Sequence, residues 1–569
     1  MQYKWTVLTN TTLGGLMSSI NMTILMISLP TIFRGLNINP TAPGEFTVLL
    51  WVLMGYSIVL ATLLITFGRL SDMYGRTRLY TLGFIIFTIG AVLLSMIPSG
   101  TGNAGAYALI GLRMVQAVGG GFLMVNSTAL ITDAFSYEER GKALGINQIS
   151  FIAGSLIGLV MGGLLASYDW HLVFIVNIPF AVAGTIWSMV KLKETSVRRK
   201  SSMDLAGNIS IGVGLILIAL GFTYSLVPYG SSSMGWGNPW VIVSLAIGIV
   251  LLLFFVFVER KVKSPLFHLE LFKIRAFAFG NFSSFLSSLG RGAVMFLVII
   301  WLQGIYLPLH GYSYAQTPFW AGVYMMPMMV GFIILGPIGG MLTDKYGARI
   351  FATTGMVIIA ISLFLLTLLP YNFNVWIFEG ILLLNGIGSG LFASPNTTAI
   401  MNSLPNNMRG VGSGMRATLN NIAQTISMAL FFSIAITIFS QDLPGALYTT
   451  GLNAGLPPLL ANSLKSIPPS GALFAAFLGI NPLSGMSLVG LPASVVKTLT
   501  SNTFFPSAIG PTFMIGLRDA LYIATALTLV GAVMSALRGG KYIHEIHENG
   551  AIAKPVAADP VDGKDDKNE

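Results

Sequence analysis

Runs of about 20 apolar residues recur along this chain, separated by short links that hold most of its charge. Inside a bilayer every backbone N–H and C=O must be paired within the spanning structure, so runs this long and this apolar fold as membrane-crossing helices. They place spans near 8–33, 47–68, 78–97, 106–131, 143–167, 171–191, 205–227, 239–258, 276–306, 318–342, 350–369, 373–401, 411–439 and 516–538, fourteen in all. Only 9% of the residues are charged and 54% are hydrophobic. A soluble domain carries about 25% charged residues, so most of this chain never meets water.

The charges test the count. With the first end in the cytoplasm, Lys and Arg should collect in the links that follow even-numbered spans. Arg69, Arg76 and Arg78 follow span two, Arg140 and Lys142 span four, and Lys191 to Lys200 span six. Arg260 to Arg275 follow span eight, and Lys345 with Arg349, Arg409 with Arg416, and Arg538 with Lys541 follow spans ten, twelve and fourteen. The other side holds little beyond Arg34, Lys465, Lys497 and Arg518. One missed or invented span would scramble this alternation, so both termini are expected in the cytoplasm and the chain in the cell membrane. The net charge of +10 therefore marks loops beside anionic lipid, not a nucleic-acid surface.

The first apolar run is too long for a signal peptide and reads as a span that stays. With no cysteine, disulfides, thiolate metal sites and thiol nucleophiles are excluded. His544 and His547 read as a solvated tail feature, and neither a metal nor a cofactor is expected. The long outer link 441–515 holds an apolar piece, Gly471 to Ile480, too short to cross; it is expected on the membrane surface or capping the mouth. The tail from Asn549 has the composition of a disordered segment.

The chain repeats itself at a spacing near 270 residues. Gly68-Arg-Leu-Ser-Asp72-Met-Tyr-Gly75-Arg76 returns as Gly340-Met-Leu-Thr-Asp344-Lys-Tyr-Gly347-Ala-Arg349. Gly119-Gly-Gly-Phe returns as Gly388-Ser-Gly-Leu, and the segment around Arg140 returns around Arg409. Both copies have the same membrane orientation, which implies two parallel six-helix halves. The expected domains are residues 1–192, an inserted helix pair at 193–275, a second bundle at 276–540 that includes the long outer link, and a tail at 541–569.

These segments resemble a known family. The Asp72 segment is similar to the signature loop after the second helix of the major facilitator superfamily, Gly-x-Leu-x-Asp-x-x-Gly-Arg-x-Arg. Trp51-Val-Leu-Met-Gly55-Tyr56, Arg113-Met-Val-Gln116-Ala-Val-Gly119-Gly-Gly121 and Trp170-His-Leu-Val-Phe174-Ile-Val-Asn177-Ile-Pro179 resemble its fourteen-span drug:proton antiporter branch. The resemblance runs from about Ile20 to Arg538. It implies an all-α major facilitator fold and a proton-coupled exporter of drug-like or metabolite compounds. It also implies a proton-transfer role for Arg113.

Two positions depart from that branch. Its first span reads Leu-Asp-x-Thr-Ile-Val-Asn-Val-Ala-Leu-Pro, where this chain has Ile20-Asn21-Met-Thr23-Ile24. An asparagine cannot carry a proton, so coupling through that position is lost. In span five Gly158-Leu159-Val-Met-Gly162-Gly163 lacks the branch's proline, whereas Gly336-Pro337 appears in span ten.

Charged groups in the bilayer core are functional candidates by default. Arg113 lies in span four, Arg291 mid-way along span nine, and Glu379 near the outer end of span twelve. The repeat places Arg291 where Asn21 stands in the first half, so Arg291 is expected to face the central cavity. The candidate solute or proton pathway is Asn21, Tyr56, Arg113, Gln116, Arg291, Gln303 and Glu379. Asp72, Gly75 and Arg76, with Asp344 and Arg349 in the second copy, form a candidate latch: carboxylate, tight reversal and cation at a helix end.

No Gly-x-x-x-x-Gly-Lys-Ser/Thr loop exists to bind ATP, and no acid–base or nucleophile constellation suggests an enzyme acting on lipid. The expected function is a monomeric secondary transporter whose partners are a small solute, membrane lipid and, as coupling ion, protons. The alternatives are transport of an anionic solute without first-helix coupling, and a transport-inactive sensor on the same fold.

Overall fold

The computed structural model describes residues 2–38, 45–135, 137–194, 204–230, 232–262, 265, 267–405, 408–485 and 491–539. The expected tail, 541–569, lies outside them. The described residues form helices and turns with no strand. The first six long helices are α1 Tyr3–Leu36, α2 Glu45–Tyr74, α3 Arg76–Ser95, α4 Gly102–Ala134, α5 Tyr137–Tyr168 and α6 Leu172–Lys191. Next come α7 Leu205–Ser225 and α8 Pro239–Lys261. The last six are α9 Arg275–Leu309, α10 Thr317–Tyr346, α11 Ala348–Thr367, α12 Val375–Asn402, α13 Arg409–Asn453 and α14 Phe504–Leu537. Among the described residues, thirteen helices have the length and apolarity to cross a membrane. In α5 the shorter apolar part runs from Ala153 to Tyr168. Below, the inner face is the one on which α1 begins.

The same packing scheme is made twice. α1 packs on α4, α5 and α6, and α9 packs on α12, α13 and α14. α4 holds α2 and α3, as α12 holds α10 and α11. The glycines of the repeat explain the shared geometry. A Cβ on Gly119 of α4 would sit 2.7 Å from the Gly83 carbonyl oxygen of α3. A Cβ on Gly388 of α12 would sit 2.8 Å from the Gly355 carbonyl oxygen of α11. With no hydrophobic force between helices in lipid, such close backbone approach supplies the dispersion contact that holds them. The two sets meet along two seams, α2 with α13 and α5 with α10, which the repeat interchanges. α7 packs on α8 and against the α2–α13 seam. α8 turns apolar side chains outward, Leu253 at 66% exposure, as a lipid-facing helix should.

The close approach gives a sharp expectation. Gly119→Val should lower the melting temperature and the yield of folded protein, because overpacking costs about 1–3 kcal/mol. Gly111→Val, on the same helix but with open space around its Cβ, should be neutral. Equal melting temperatures for the two variants would show that the α3–α4 contact is unimportant.

The outer link departs from a simple loop. α13 runs to Asn453, well beyond the expected edge of its span, and α14 begins at Phe504. Between them lies a short helix, Pro469–Leu478, every residue of which is buried. It is therefore a plug inserted among the spanning helices and not a segment lying on the membrane surface. It packs on α1, α2, α13, α14 and the outer part of α9. There α9 changes to π-helical winding at Trp301–Tyr306. Gly304 lies in that segment, and a Cβ on it would be 3.1 Å from the Phe477 backbone nitrogen. π-segments of this kind are frequent at functional sites. Phe477 also meets Phe296 edge-on at 5.9 Å, and Phe474 lies 5.6 Å from Phe432. Burying each phenylalanine is worth about 1.5–3 kcal/mol relative to leaving it in water.

Two cross-half bonds reinforce this outer closure. Gln303 Nε2 donates to the Ile27 carbonyl at 3.2 Å, and Arg34 Nη2 to the Tyr314 carbonyl at 3.0 Å. The Trp170-His171 motif ties the α5–α6 turn to the α3–α4 turn. Trp170 Nε1 donates to Ser99 Oγ at 3.1 Å, and His171 Nε2 lies 2.8 Å from the Ile97 carbonyl oxygen.

Candidate functional site

A small cavity, with about 30 Å³ of space for water-sized spheres, lies between the halves. Met22, Leu25 and Met26 of α1, Leu53, Tyr56 and Ser57 of α2, and Arg113 of α4 line one side. Gly292 of α9 and Gln424 and Met428 of α13 line the other. Two expected pathway residues, Tyr56 and Arg113, line it, and Arg113 holds two more, Asn21 and Gln116, behind the wall. Arg113 Nη1 donates to Asn21 Oδ1 at 3.1 Å and to Gln116 Oε1 at 3.2 Å. Its guanidinium carbon lies 4.5 Å from the centre of the Tyr56 ring. All four side chains are buried, Arg113 at 3% exposure.

Arginine has only donors, so its bonds fix the orientation of both amides: oxygens toward Arg113, NH2 groups away. Arg113 Nε and Gln116 Nε2 are then buried donors without a hydrogen-bond partner among the described residues, whereas Asn21 Nδ2 has the Tyr56 hydroxyl within reach. Leaving buried donors unmade costs about 1–3 kcal/mol each, so their presence marks a place where a further acceptor belongs.

Arg291 lies on the opposite half. It is exposed, although mid-way along α9. At 100° per residue it stands two and a half turns, half a circle, from Phe282, which is 54% exposed on the lipid side. On the Arg291 side, Ser284 donates to Asn420 of α13 at 2.9 Å, and Gly280 abuts Ile400 of α12. Arg291 thus points between α12 and α13, beside the cavity; its neighbour Gly292, and not Arg291 itself, is part of the lining. No hydrogen bond or ion pair holds it among the described residues.

The other two pathway candidates lie elsewhere. Gln303 belongs to the outer closure, where its Oε1 is a buried acceptor without a partner. Glu379 is half-buried at the outer end of α12, within electrostatic reach of the Tyr306 and Tyr324 hydroxyls. Neither lines the cavity, and Glu379 is not Arg291's counter-ion. Ser57, Gln424 and the three methionines were not expected there. For Gln424 a signal was available in the polar run Asn420, Asn421 and Gln424 within one span.

The latch candidates of the first copy form a network. Arg76 Nη2 donates to Asp72 Oδ1 at 2.8 Å, and its Nη1 to Asp133 Oδ1 at 2.7 Å. Gly75 reverses the chain with φ of 113°, a conformation that suits glycine. Glu194 fills the space above it and accepts from the Arg78 backbone N–H at 3.2 Å. Asp133 and Glu194 were not among the expected latch residues. These bonds join α2, α3, α4 and the end of α6 within one half. In the second copy Gly347 repeats the turn at φ of 85°, and Arg349 is exposed. The Asp344 side chain lies outside the described residues. For Asp72→Asn we expect a change in folding stability under about 1 kcal/mol, since exposed ion pairs are worth no more. Transport should slow about fivefold, measured as initial flux at saturating solute; an unchanged flux would leave only a topological role.

Residues 11–428 match the model of the Major Facilitator Superfamily. The chain belongs to that family. It is 31% identical over 448 residues to the riboflavin transporter RibZ of Clostridioides difficile, covering 78% of this chain and 90% of that one. It is 26% identical over 516 residues to multidrug resistance protein 3 of Bacillus subtilis, covering 86% and 96%. A bacterial homologue of the human lysosomal transporter Spinster, solved in an inward-facing, occupied conformation, superposes with a TM-score of 0.54. That likeness is at 15% identity over 94% of this chain and 97% of the other, and shows the shared fold. This member of the superfamily is a multi-pass membrane protein and a secondary transporter of a small solute, not an enzyme.

Proposed function

We propose that this transporter exports a drug-like or metabolite compound by alternating access, through the central cavity, as a monomer in the cell membrane. Both termini lie in the cytoplasm, so the inner face is cytoplasmic. Residues 1–192 and 276–540 rock against each other, residues 193–275 brace one seam, and 541–569 form a cytoplasmic tail. The observation that carries this reading is a cavity between the halves, lined by Tyr56 and by an Arg113 that Asn21 and Gln116 hold in place, whose outer end is shut. The relatives that carry riboflavin or confer multidrug resistance support a planar organic solute.

The test is counterflow in liposomes preloaded with unlabelled riboflavin or fluorescein. Transient uphill uptake of the labelled solute is expected. Its absence for both would favour a transport-inactive sensor.

Proton movement supplies the driving force in this reading. With Asn21 in the first helix, the best remaining candidate to carry the proton is Glu379, near the Tyr306 and Tyr324 hydroxyls. Glu379→Gln should abolish accumulation driven by a pH difference while leaving counterflow intact. Undiminished pH-driven accumulation in the variant would exclude Glu379 from coupling.

A further inference from the structure

We propose that the solute is a planar apolar body bearing an anionic group, clasped between Arg113 of one half and Arg291 of the other. The proposal rests on the central cavity being the transport site and names what that site selects.

The wall is apolar and adaptable. Met22, Met26 and Met428 carry polarizable thioethers that conform to flat rings of differing outline. The charges are of one sign. Arg113 bonds only to amide oxygens, which leave its charge uncompensated, and Arg291 has no partner among the described residues. No carboxylate lines the cavity among those residues. The first-helix position that could hold one is Asn21, itself spent on Arg113. A low-dielectric slot with a single sign of charge focuses its potential on the opposite sign. The unpaired Arg113 Nε donor, on a side chain that lines the cavity, supplies a hydrogen bond that an oxyanion accepts and a cation cannot.

A consequence for the cycle follows. With the cavity empty, the two guanidiniums repel across it and resist closure of the halves. A bound anion removes that repulsion. The loaded carrier therefore reorients more readily than the empty one, the behaviour of an exchanger.

The test uses three fluorescent probes on purified full-length protein: fluorescein as the dianion, riboflavin as the uncharged planar body, and ethidium as the cation. Fluorescein should bind saturably. Its affinity should fall at least tenfold in Arg291→Gln and recover in Arg291→Lys, which keeps the charge. Ethidium should show no saturable binding to the wild type. Saturable ethidium binding unchanged by Arg291→Gln, or no saturable fluorescein binding, overturns the proposal. Counterflow separates the two levels of the account. Ethidium that binds and shows counterflow leaves the transport reading intact and removes the anion. Fluorescein binding that follows Arg291, without counterflow of any probe, keeps the site and removes the transport reading.

Discussion

In proteoliposomes, Arg113→Gln lowers solute flux and affinity by about ten- to a hundredfold while the protein still reaches the membrane. The guanidinium is the shared donor for Asn21 and Gln116, and it stacks on Tyr56 at 4.5 Å. A glutamine at position 113 is too short to serve both amide oxygens. Each buried oxygen then loses a charged donor, worth about 1.5–3 kcal/mol, and every 1.4 kcal/mol is tenfold in affinity. Arg113→Lys keeps the charge but not the planar fork that bonds two amides while lying on a ring, so it should recover only part of the loss. Flux measured against protein in the membrane separates this from a folding defect. Wild-type flux in the Gln variant would reduce Arg113 to a structural bond.

The second large effect is on the outer closure. Gly304→Leu places a side chain where the Phe477 backbone comes within 3.1 Å of a Cβ, and backbone cannot rotate away. The plug helix Pro469–Leu478 must then lift. Overpacking of about 1–3 kcal/mol shifts a two-state equilibrium roughly five- to 150-fold, enough to favour the outward-open state. The release also strips Gln303 of its bond to Ile27. The expected readout is loss of net flux with retained solute binding from the outer side. A Gly304→Leu protein with normal flux would show that the plug is not part of the gate.

Much of the architecture was legible because two independent signals agreed. Apolar runs marked the long helices, and the positions of Arg69, Arg140, Lys191 and Arg260 argued for an even number of them. Helix ends were less legible, since a hydropathy ruler sees only the lipid-matched part. α13 continues past residue 439 through Gln441, Asp442 and Thr449 as a helix outside the apolar zone. The plug was ambiguous because ten apolar residues can lie on a membrane, cap a mouth or enter a core. Its burial depends on Gly304, more than 160 residues away. At the site, counting intramembrane charges found Arg113 and Arg291, and motif spacing added Tyr56 and Gln116. The same count passed over Ser57 and Gln424, which are neutral. It also carried Glu379 toward a cavity that it does not line, because sequence gives depth along a helix more readily than direction around it.

Alternating access requires a cavity that opens to one face at a time. A chain without cysteine allows a direct test. Ser57→Cys places one thiol on the cavity wall, with Tyr74→Cys and Tyr229→Cys as exposed reporters of the inner and outer faces. A membrane-impermeant maleimide is applied from each side in turn. Ser57→Cys should react from the inner face and be slow from the outer one. Adding Gly304→Leu should raise the outer rate and lower the inner rate together. A rise in the outer rate with no fall in the inner rate would mean a cavity open to both faces at once, and would contradict the account.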